Sequence, residues 1–405
     1  MADEEIIRAS RRRNDSLPMG TTVVAARVQG PRFEVAWVGD SRAYLWRDGK
    51  LARLPGDCEL ALRLQLRLQR LAAMRDAAAR LLAADGARLT IADVDADRAA
   101  ALGAELGATV VAPDARVERL AEGFTWAEGP AWVADGGYLL FTDVPENRLH
   151  RWSESERLSV FLEPSGYAGS DTEALREAGA NGLSVESAGT VLMADSGSRS
   201  IERLDLATKR KTTLARDFNG RRFNSPNDLV RRSDGAIFFT DPPYGLKDLD
   251  DSPVKELAFN GVYRLDTDGR VHLLDDGLTR PNGIALSPDE RTLYVANSDP
   301  ERAIWMAYTL DAAGAVTARR VFADAGDLVG DDAPGLPDGL AVAADGTLFA
   351  TGPGGVLVFA PDGTRLGRIE TGGPVANAAF GDDGRTLYMT SNGMLARVRL
   401  QIAGR

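Results

Sequence analysis

The chain is poor in the side chains that bind soft metals and activate serine nucleophiles. It has one cysteine, Cys58, and two histidines, His150 and His272. A single cysteine excludes an intrachain disulfide and a zinc site built from thiolates. So few histidines argue against a Ser-His-Asp triad and against a zinc ion held by histidines. Any metal ligands are therefore expected to be oxygen atoms.

Long apolar runs and excess positive charge are also lacking. No stretch approaches the ~18 apolar residues of a membrane helix, and the amino terminus has no apolar core of a secretory signal. The net charge of −11 argues against a nucleic-acid partner, because phosphate binding needs a basic surface. We expect a soluble cytoplasmic protein of more than one unit that binds neither nucleic acid nor membrane.

What the chain does have is a short phrase repeated six times toward its carboxyl end. Each copy is an apolar run, a Gly/Asp turn and a second apolar run, which predicts two strands and a hairpin. The copies begin at Glu128, Asn181, Asn227, Asn282, Asp338 and Asn377. A spacing of roughly 40 to 55 residues is typical of a propeller blade with about four strands. The sequence therefore predicts an all-β, six-bladed β-propeller over residues 116–405.

The position of these polar residues separates two interpretations. Taken singly, Asn-Gly and Asp-Gly pairs are more often turn residues than ligands. Here they precede the first strand of each pair in every copy, whereas a hairpin turn would lie between the two strands. If the first strand is innermost, all six side chains converge on the central channel.

Four of the six form an all-oxygen ligand set. Glu128 and Asp338 supply carboxylates, and Asn227 and Asn282 supply amide carbonyls. Such a set suits Ca²⁺ first, with Mg²⁺, Mn²⁺ and Zn²⁺ as alternatives. A hard cation polarises a carbonyl while a neighbouring carboxylate takes a proton from water. We therefore expect ester or lactone hydrolysis, with Asp338 as the base.

The other polar positions are open to two interpretations. Asn181 and Asn377 either hydrogen-bond substrate hydroxyls or stabilise turns. Tyr244 either lines the mouth of the funnel as a substrate contact or packs between blades. Asp143 and Asp241 are expected to bind backbone amides at turns. Inter-blade packing is the expected role of three aromatic residues, Trp126, Trp132 and Trp152.

Several phrases carry a family resemblance. A-E-G-P-A-W, F-N-S-P-N-D-L-V, F-T-D-P-P-Y-G-L, R-P-N-G-I-A-L-S-P-D and L-P-D-G-L-A-V resemble the gluconolactonase and regucalcin (senescence marker protein) family. The resemblance runs from about Val117 to the end of the chain. Two departures occur: Ser225 stands where animal members have arginine, and A-D-S-G around Asp195 replaces an expected N-H-G or E-H-G.

This resemblance implies a six-bladed propeller that opens aldonolactones such as gluconolactone. It implies one divalent ion and assigns its ligands to Glu128, Asn227, Asn282 and Asp338. It also implies that Asp338 acts on the metal-bound water. The alternative is a non-catalytic propeller that serves as a protein-binding scaffold; the oligomeric state stays open.

The amino-terminal residues resemble fragments of two other families. Residues 19–57 resemble a PPM-type protein phosphatase, and the alternating runs from 21 to 54 predict a small antiparallel sheet. Residues 78–114 resemble part of the Rossmann domain of amino acid dehydrogenases, with a helix predicted over 58–84. The phosphatase metal aspartates and the glycine-rich phosphate loop are both missing, so neither activity is expected. The predicted domains are 1–57, 58–115 and 116–405.

Overall fold

The structure is a computed structural model that describes residues 115–330 and 332–404 in full, and the backbone of four strands between residues 24 and 53. The chain divides into two units, residues 1–89 and 90–405.

The first unit contains an antiparallel sheet of four strands in sequence order. Its strands are β1 (Val24–Arg27), β2 (Arg32–Ala36), β3 (Tyr44–Arg47) and β4 (Lys50–Arg53). The antiparallel sheet predicted for residues 21–54 is therefore confirmed in these strands. The helix predicted for 58–84 and the Rossmann-like segment up to residue 114 lie outside the described residues.

The second unit is a ring of six four-stranded antiparallel sheets, so the predicted six-bladed propeller is confirmed. The strands of blades one to three are β6 (Ala127–Val133), β7 (Tyr138–Asp143), β8 (Arg148–Ser153) and β9 (Arg157–Leu162); β10 (Leu183–Ser187), β11 (Thr190–Asp195), β12 (Ser200–Asp205) and β13 (Lys211–Ala215); and β16 (Leu229–Arg231), β17 (Ile237–Asp241), β18 (Gly261–Leu265) and β19 (Val271–Asp275).

The strands of blades four to six are β20 (Pro281–Leu286), β21 (Thr292–Asp299), β22 (Arg302–Leu310) and β23 (Val316–Asp324); β24 (Leu340–Val342), β25 (Leu348–Gly352), β26 (Gly355–Phe359) and β27 (Arg365–Ile369); and β28 (Asn377–Gly381), β29 (Thr386–Ser391), β30 (Met394–Arg399) and β5 (Glu118–Glu122). A small hairpin, β14 (Asp217–Phe218) and β15 (Arg221–Arg222), and two 3₁₀ turns, Ala134–Gly136 and Leu249–Asp251, complete the described elements.

Blade six closes the ring with a strand from the opposite end of the propeller sequence. Strand β5 pairs antiparallel with β30, and Ala121 faces Leu395 in that pairing. Arg397 of β30 forms an ion pair with Glu118 of β5 at 2.9 Å. The repeated phrase did not predict this closure, because β5 carries no copy of it.

The first strand of each blade is the innermost one, as predicted. Strands β6, β10, β16, β20, β24 and β28 contact one another in turn around the ring. The six polar residues that begin the copies of the repeated phrase are the polar leaders. Neighbouring inner strands approach so closely that glycine is required after four of them, Glu128, Asn181, Asn282 and Asp338. A Cβ on Gly283 would lie 2.1 Å from the carbonyl oxygen of Asp338, and one on Gly339 would lie 2.1 Å from the side chain of Asn377.

Apolar side chains fill the space between adjacent blades. Trp132 of blade one stacks on Tyr388 of blade six with ring centroids 5.5 Å apart, and Trp152 packs against the same tyrosine at 5.9 Å. The predicted packing roles of Trp132 and Trp152 are therefore confirmed. Trp126 has a further contact, because its indole N–H donates a hydrogen bond to the carboxylate of Glu128; its packing between blades stays a prediction.

Two aspartates tie the blades to their preceding loops. Asp143 accepts hydrogen bonds from the backbone amides of Thr125 and Trp126, both at 3.0 Å. Asp241 accepts them from Asn224 and Ser225, both at 2.8 Å. The backbone-binding role predicted for both aspartates is confirmed.

Among the described residues, no helix has the length and apolar character needed to cross a membrane. The cytoplasmic location stays a prediction.

Candidate active site

All six polar leaders lie at the start of an innermost strand. Glu128 follows the first residue of β6, at a bulge between Glu128 and Ala131. Asn377 begins β28, and the remaining four leaders lie within or just before β10, β16, β20 and β24. Asp338 is partly exposed to solvent, whereas the side chains of the other five are buried: Glu128, Asn181, Asn227, Asn282 and Asn377. The fold therefore brings residues from all six blades to the same end of the ring.

Glu128 is a buried carboxylate held by three donors. It accepts hydrogen bonds from the backbone amide of Gly129 at 3.1 Å, from the Trp126 indole and from the Asn377 amide. Burial raises the pKa of Glu128 above its usual range, and the nearby charge of Asp228 raises it further. Burying this carboxylate costs free energy that a bound cation would recover.

Asp338 is coupled to the same group of charges. Burial raises the pKa of its carboxyl well above the ordinary value, and the charges of Glu128, Asp228 and Glu177 add to that rise. The backbone amide of Gly339 donates a hydrogen bond that partly opposes it. The backbone amide of Asp338 itself donates to the Thr351 carbonyl at 3.1 Å, which fixes the residue to β25.

Asp228 is a third carboxylate of the site, and the sequence reasoning missed it. It accepts hydrogen bonds from the backbone amides of Leu229 at 2.8 Å and Ile284 at 3.3 Å, so it links blade three to blade four. Burial raises its pKa to about 7. The available signal was the third copy of the phrase, which continues Asn-Asp where the second and fourth continue Asn-Gly.

Asn377 bridges two of these carboxylates. Its Oδ1 atom accepts a hydrogen bond from the backbone amide of Ala378 at 2.8 Å. Its amide group hydrogen-bonds to both Glu128 and Asp228, and carboxylates only accept, so the Nδ2 hydrogens are donated. A direct contact between Asn377 and a substrate stays a prediction.

The other asparagines present amide oxygens. The Nδ2 atom of Asn282 donates to Ser298 Oγ at 3.1 Å, which leaves its Oδ1 as the free acceptor. Ser298 in turn donates to the carbonyl of Pro337, the residue before Asp338. The Oδ1 atom of Asn181 is buried and has no hydrogen-bond partner among the described residues. Asn227 accepts a hydrogen bond at its backbone carbonyl from Gly182 at 2.7 Å.

The carboxyl groups of the site have no positively charged partner in the described part of the chain. Within residues 115–330 and 332–404, no lysine, arginine or histidine forms an ion pair with Glu128, Asp228 or Asp338. The same residues contain no group of three or more His, Cys, Asp or Glu arranged to hold a metal. The predicted set is of a different type, two carboxylates with two amides. Buried acceptors without a positive partner fit a hard cation.

Two further side chains, Tyr244 and Glu177, interact electrostatically with this group. The Tyr244 hydroxyl donates a hydrogen bond to the Ser298 carbonyl at 3.4 Å. Burial raises the pKa of Tyr244, and the charge of Asp338 raises it further. Glu177, which the sequence reasoning also missed, acts electrostatically on both Asp338 and Tyr244. Tyr244 is partly exposed, in keeping with a position at the mouth of the site.

The two positions that depart from the resembled family have structural roles here. Ser225 Oγ donates to the Pro242 carbonyl at 2.6 Å and accepts from the Gly245 amide at 2.9 Å. Asp195 forms an ion pair with Lys211 at 2.7 Å.

Comparison with known proteins identifies the family. A family model described as the SMP-30/Gluconolactonase/LRE-like region matches residues 126–393. The chain belongs to this family. The resemblance found in the repeated phrases is thereby confirmed. A model for protein phosphatase 2C matches residues 1–57, in line with the resemblance noted for that segment.

Individual members of the family are similar to this chain in sequence or structure over most of the propeller. A gluconolactonase of Zymomonas mobilis is 44% identical over 293 residues, which cover 71% of this chain and 82% of that protein. The pentonolactonase XacC of Haloferax volcanii is 29% identical and covers 66% of this chain and 81% of its own length. The structure of a gluconolactonase from Xanthomonas campestris superposes with a TM-score of 0.62 at 35% identity, covering 73% of this chain and 92% of that one.

Proposed function

We propose that this protein is a lactone hydrolase that opens aldonolactones such as gluconolactone with the help of one divalent cation. The observation that carries the proposal is the set Glu128, Asn227, Asn282 and Asp338 on innermost strands of a chain 44% identical to a gluconolactonase. The substrate is a small molecule, and the chain acts as an enzyme of the gluconolactonase type.

The four residues of that set would hold the cation through oxygen atoms. Ca²⁺ suits mixed carboxylate and amide ligands best, and Mg²⁺, Mn²⁺ and Zn²⁺ are the alternatives. When bound, such an ion polarises the lactone carbonyl and lowers the pKa of water. The buried carboxylates of Glu128 and Asp228, which have no positive partner in the described part of the chain, and the free Oδ1 atom of Asn282 support this assignment.

Asp338 is the residue proposed to move the proton. It is the only one of the six leaders that is partly exposed to solvent, so water and substrate can reach its carboxylate. It takes a proton from the water that attacks the carbonyl carbon, and returns a proton to the ring oxygen when the ring C–O bond breaks. Asn181 and Tyr244 are proposed to contact the substrate from positions beside it.

Hydrolysis of glucono-δ-lactone tests the proposal, with the spontaneous rate subtracted. Protein treated with EDTA should lose activity and regain it with Ca²⁺, Mg²⁺, Mn²⁺ or Zn²⁺. Asp338→Asn should lower kcat at least about 100-fold, the usual scale for loss of a general base. Asp135→Asn, at an exposed turn of blade one, is the matched control and should leave the rate unchanged.

The scaffold alternative makes the opposite predictions. A propeller that only binds partner proteins would tolerate Glu128→Gln and show no lactone hydrolysis. Activity that survives both EDTA and Asp338→Asn would exclude the proposed mechanism.

A further inference from the structure

The long connection between β9 and β10 crosses to a loop of blade three and is fixed there. The backbone amide of Arg176 donates to the Gly245 carbonyl at 2.9 Å, and the amide of Lys247 donates to the Ala174 carbonyl at 3.0 Å. Leu175 and Leu246 form an isolated antiparallel bridge between the two segments. This pairing places Glu177 beside the loop that carries Tyr244.

The Glu177 carboxylate is poorly satisfied within the protein. Its side chain is only 15% exposed. Within the described part of the chain it forms an ion pair with Arg176, at 3.6 Å and itself 52% exposed, and it accepts no side-chain hydrogen bond from another residue. A largely buried carboxylate normally has donors directed at it, so this one has acceptor capacity to spare.

Glu177 lies next to the loop that carries Tyr244. Its backbone amide donates to the Gly245 carbonyl at 3.4 Å, and its charge raises the pKa of Asp338 and of Tyr244. It comes from a connection outside the repeated phrase and is not a member of the proposed cation-binding set.

We propose that Glu177 is a specificity-determining residue that accepts hydrogen bonds from the hydroxyl groups of a polyhydroxylated lactone. This inference rests on the proposed lactone hydrolysis and adds to it the feature of the substrate that is recognised. The ring hydroxyls supply the donors that the carboxylate lacks in the protein. A lactone without hydroxyl groups gains nothing from Glu177.

Two lactones of the same ring size distinguish this role from a general one. Glucono-δ-lactone carries ring hydroxyls, and δ-valerolactone carries none. Glu177→Gln should lower kcat/KM for glucono-δ-lactone about 10- to 100-fold, mainly through KM, the range for a lost hydrogen bond to a charged group. The value for δ-valerolactone should stay within about twofold, since no such bond is lost there.

Controls separate recognition from folding. Glu173→Gln changes an exposed acid on the same connection and should leave both lactones unaffected. Glu177→Gln should unfold at the wild-type temperature, and Glu177→Asp should recover part of the lost kcat/KM.

Equal losses on both lactones, or no loss on either, would overturn the role of Glu177 while leaving lactone hydrolysis in place. A wild-type protein inactive on both lactones in the presence of each divalent cation would overturn the proposed function, and this inference with it.

Discussion

Glu128 and Asp338 belong to blades one and five, yet the charge of Glu128 raises the pKa of the Asp338 carboxyl. The two residues come together because each stands at the start of an innermost strand. Asp228 acts electrostatically on both, and no lysine or arginine is paired to any of the three carboxyl groups within the described part of the chain. A divalent cation is the partner that this arrangement fits.

The stability of the metal-free protein should fall as pH rises. The folded-state pKa of Asp228 is raised from 3.8 to about 7, so the folded chain holds a proton that the unfolded chain has lost. Stability from this group is complete below about pH 4 and is lost by about pH 7, on the order of 4 kcal/mol. The pKa values of Glu128 and Asp338 are also raised, so these two groups make the stability fall with rising pH as well.

Denaturant unfolding between pH 5 and 8, with EDTA or with Ca²⁺, measures this effect. The decline should appear in EDTA and flatten when Ca²⁺ is added, because the ion stabilises the ionised carboxylates. A stability in EDTA that rises over this interval would contradict the buried cluster.

Gly339→Ala should destabilise the propeller and disturb the site. The new Cβ would lie 2.1 Å from the Asn377 side chain, the residue that bridges Glu128 and Asp228. Overpacking of this kind costs about 1–3 kcal/mol, measurable by denaturant unfolding. Gly189→Ala is the control, since a Cβ there meets nothing within 4 Å; equal stability of the two variants would count against the close approach of the inner strands.

The ring closure predicts where the catalytic unit begins. A protein shortened to start at Ala115 keeps β5 and should retain lactone hydrolysis, in keeping with the proposed domain 116–405. One that starts at Gly123 lacks the strand that pairs with β30, and should unfold at lower temperature and lose activity. Thermal unfolding and the lactone assay measure both. If the shorter protein were as stable as the longer one, β5 would not be the closing strand that holds the ring.

The sequence revealed the propeller and the six leaders because both are periodic. The first-strand position of Asn227 or Asn282 is visible in the phrase itself, and the ring geometry then determines which residues converge. The same reasoning places Asp338, although it lies far along the chain from Glu128.

The residues that were missed are those whose roles depend on side-chain contacts between blades. Asp228 occupies a place where four other copies have glycine, and its partner amide at Ile284 comes from the next blade. Glu177 lies in a connection with no counterpart in the phrase, and the pairing of that connection with blade three is not periodic. The hydrogen bond from the Trp126 indole to Glu128 was also missed, because composition alone does not show where an indole N–H points.

The most direct test of the account is calorimetric titration of Ca²⁺ into the metal-free chain. The wild-type protein should bind one ion per chain, and Glu128→Gln and Asp338→Asn should each weaken binding at least about 10-fold, as expected for the loss of a charged ligand. Asp135→Asn should bind like the wild type. Undiminished binding in both site variants, or no binding of any divalent cation by the wild-type chain, would contradict a cation held at the centre of the propeller.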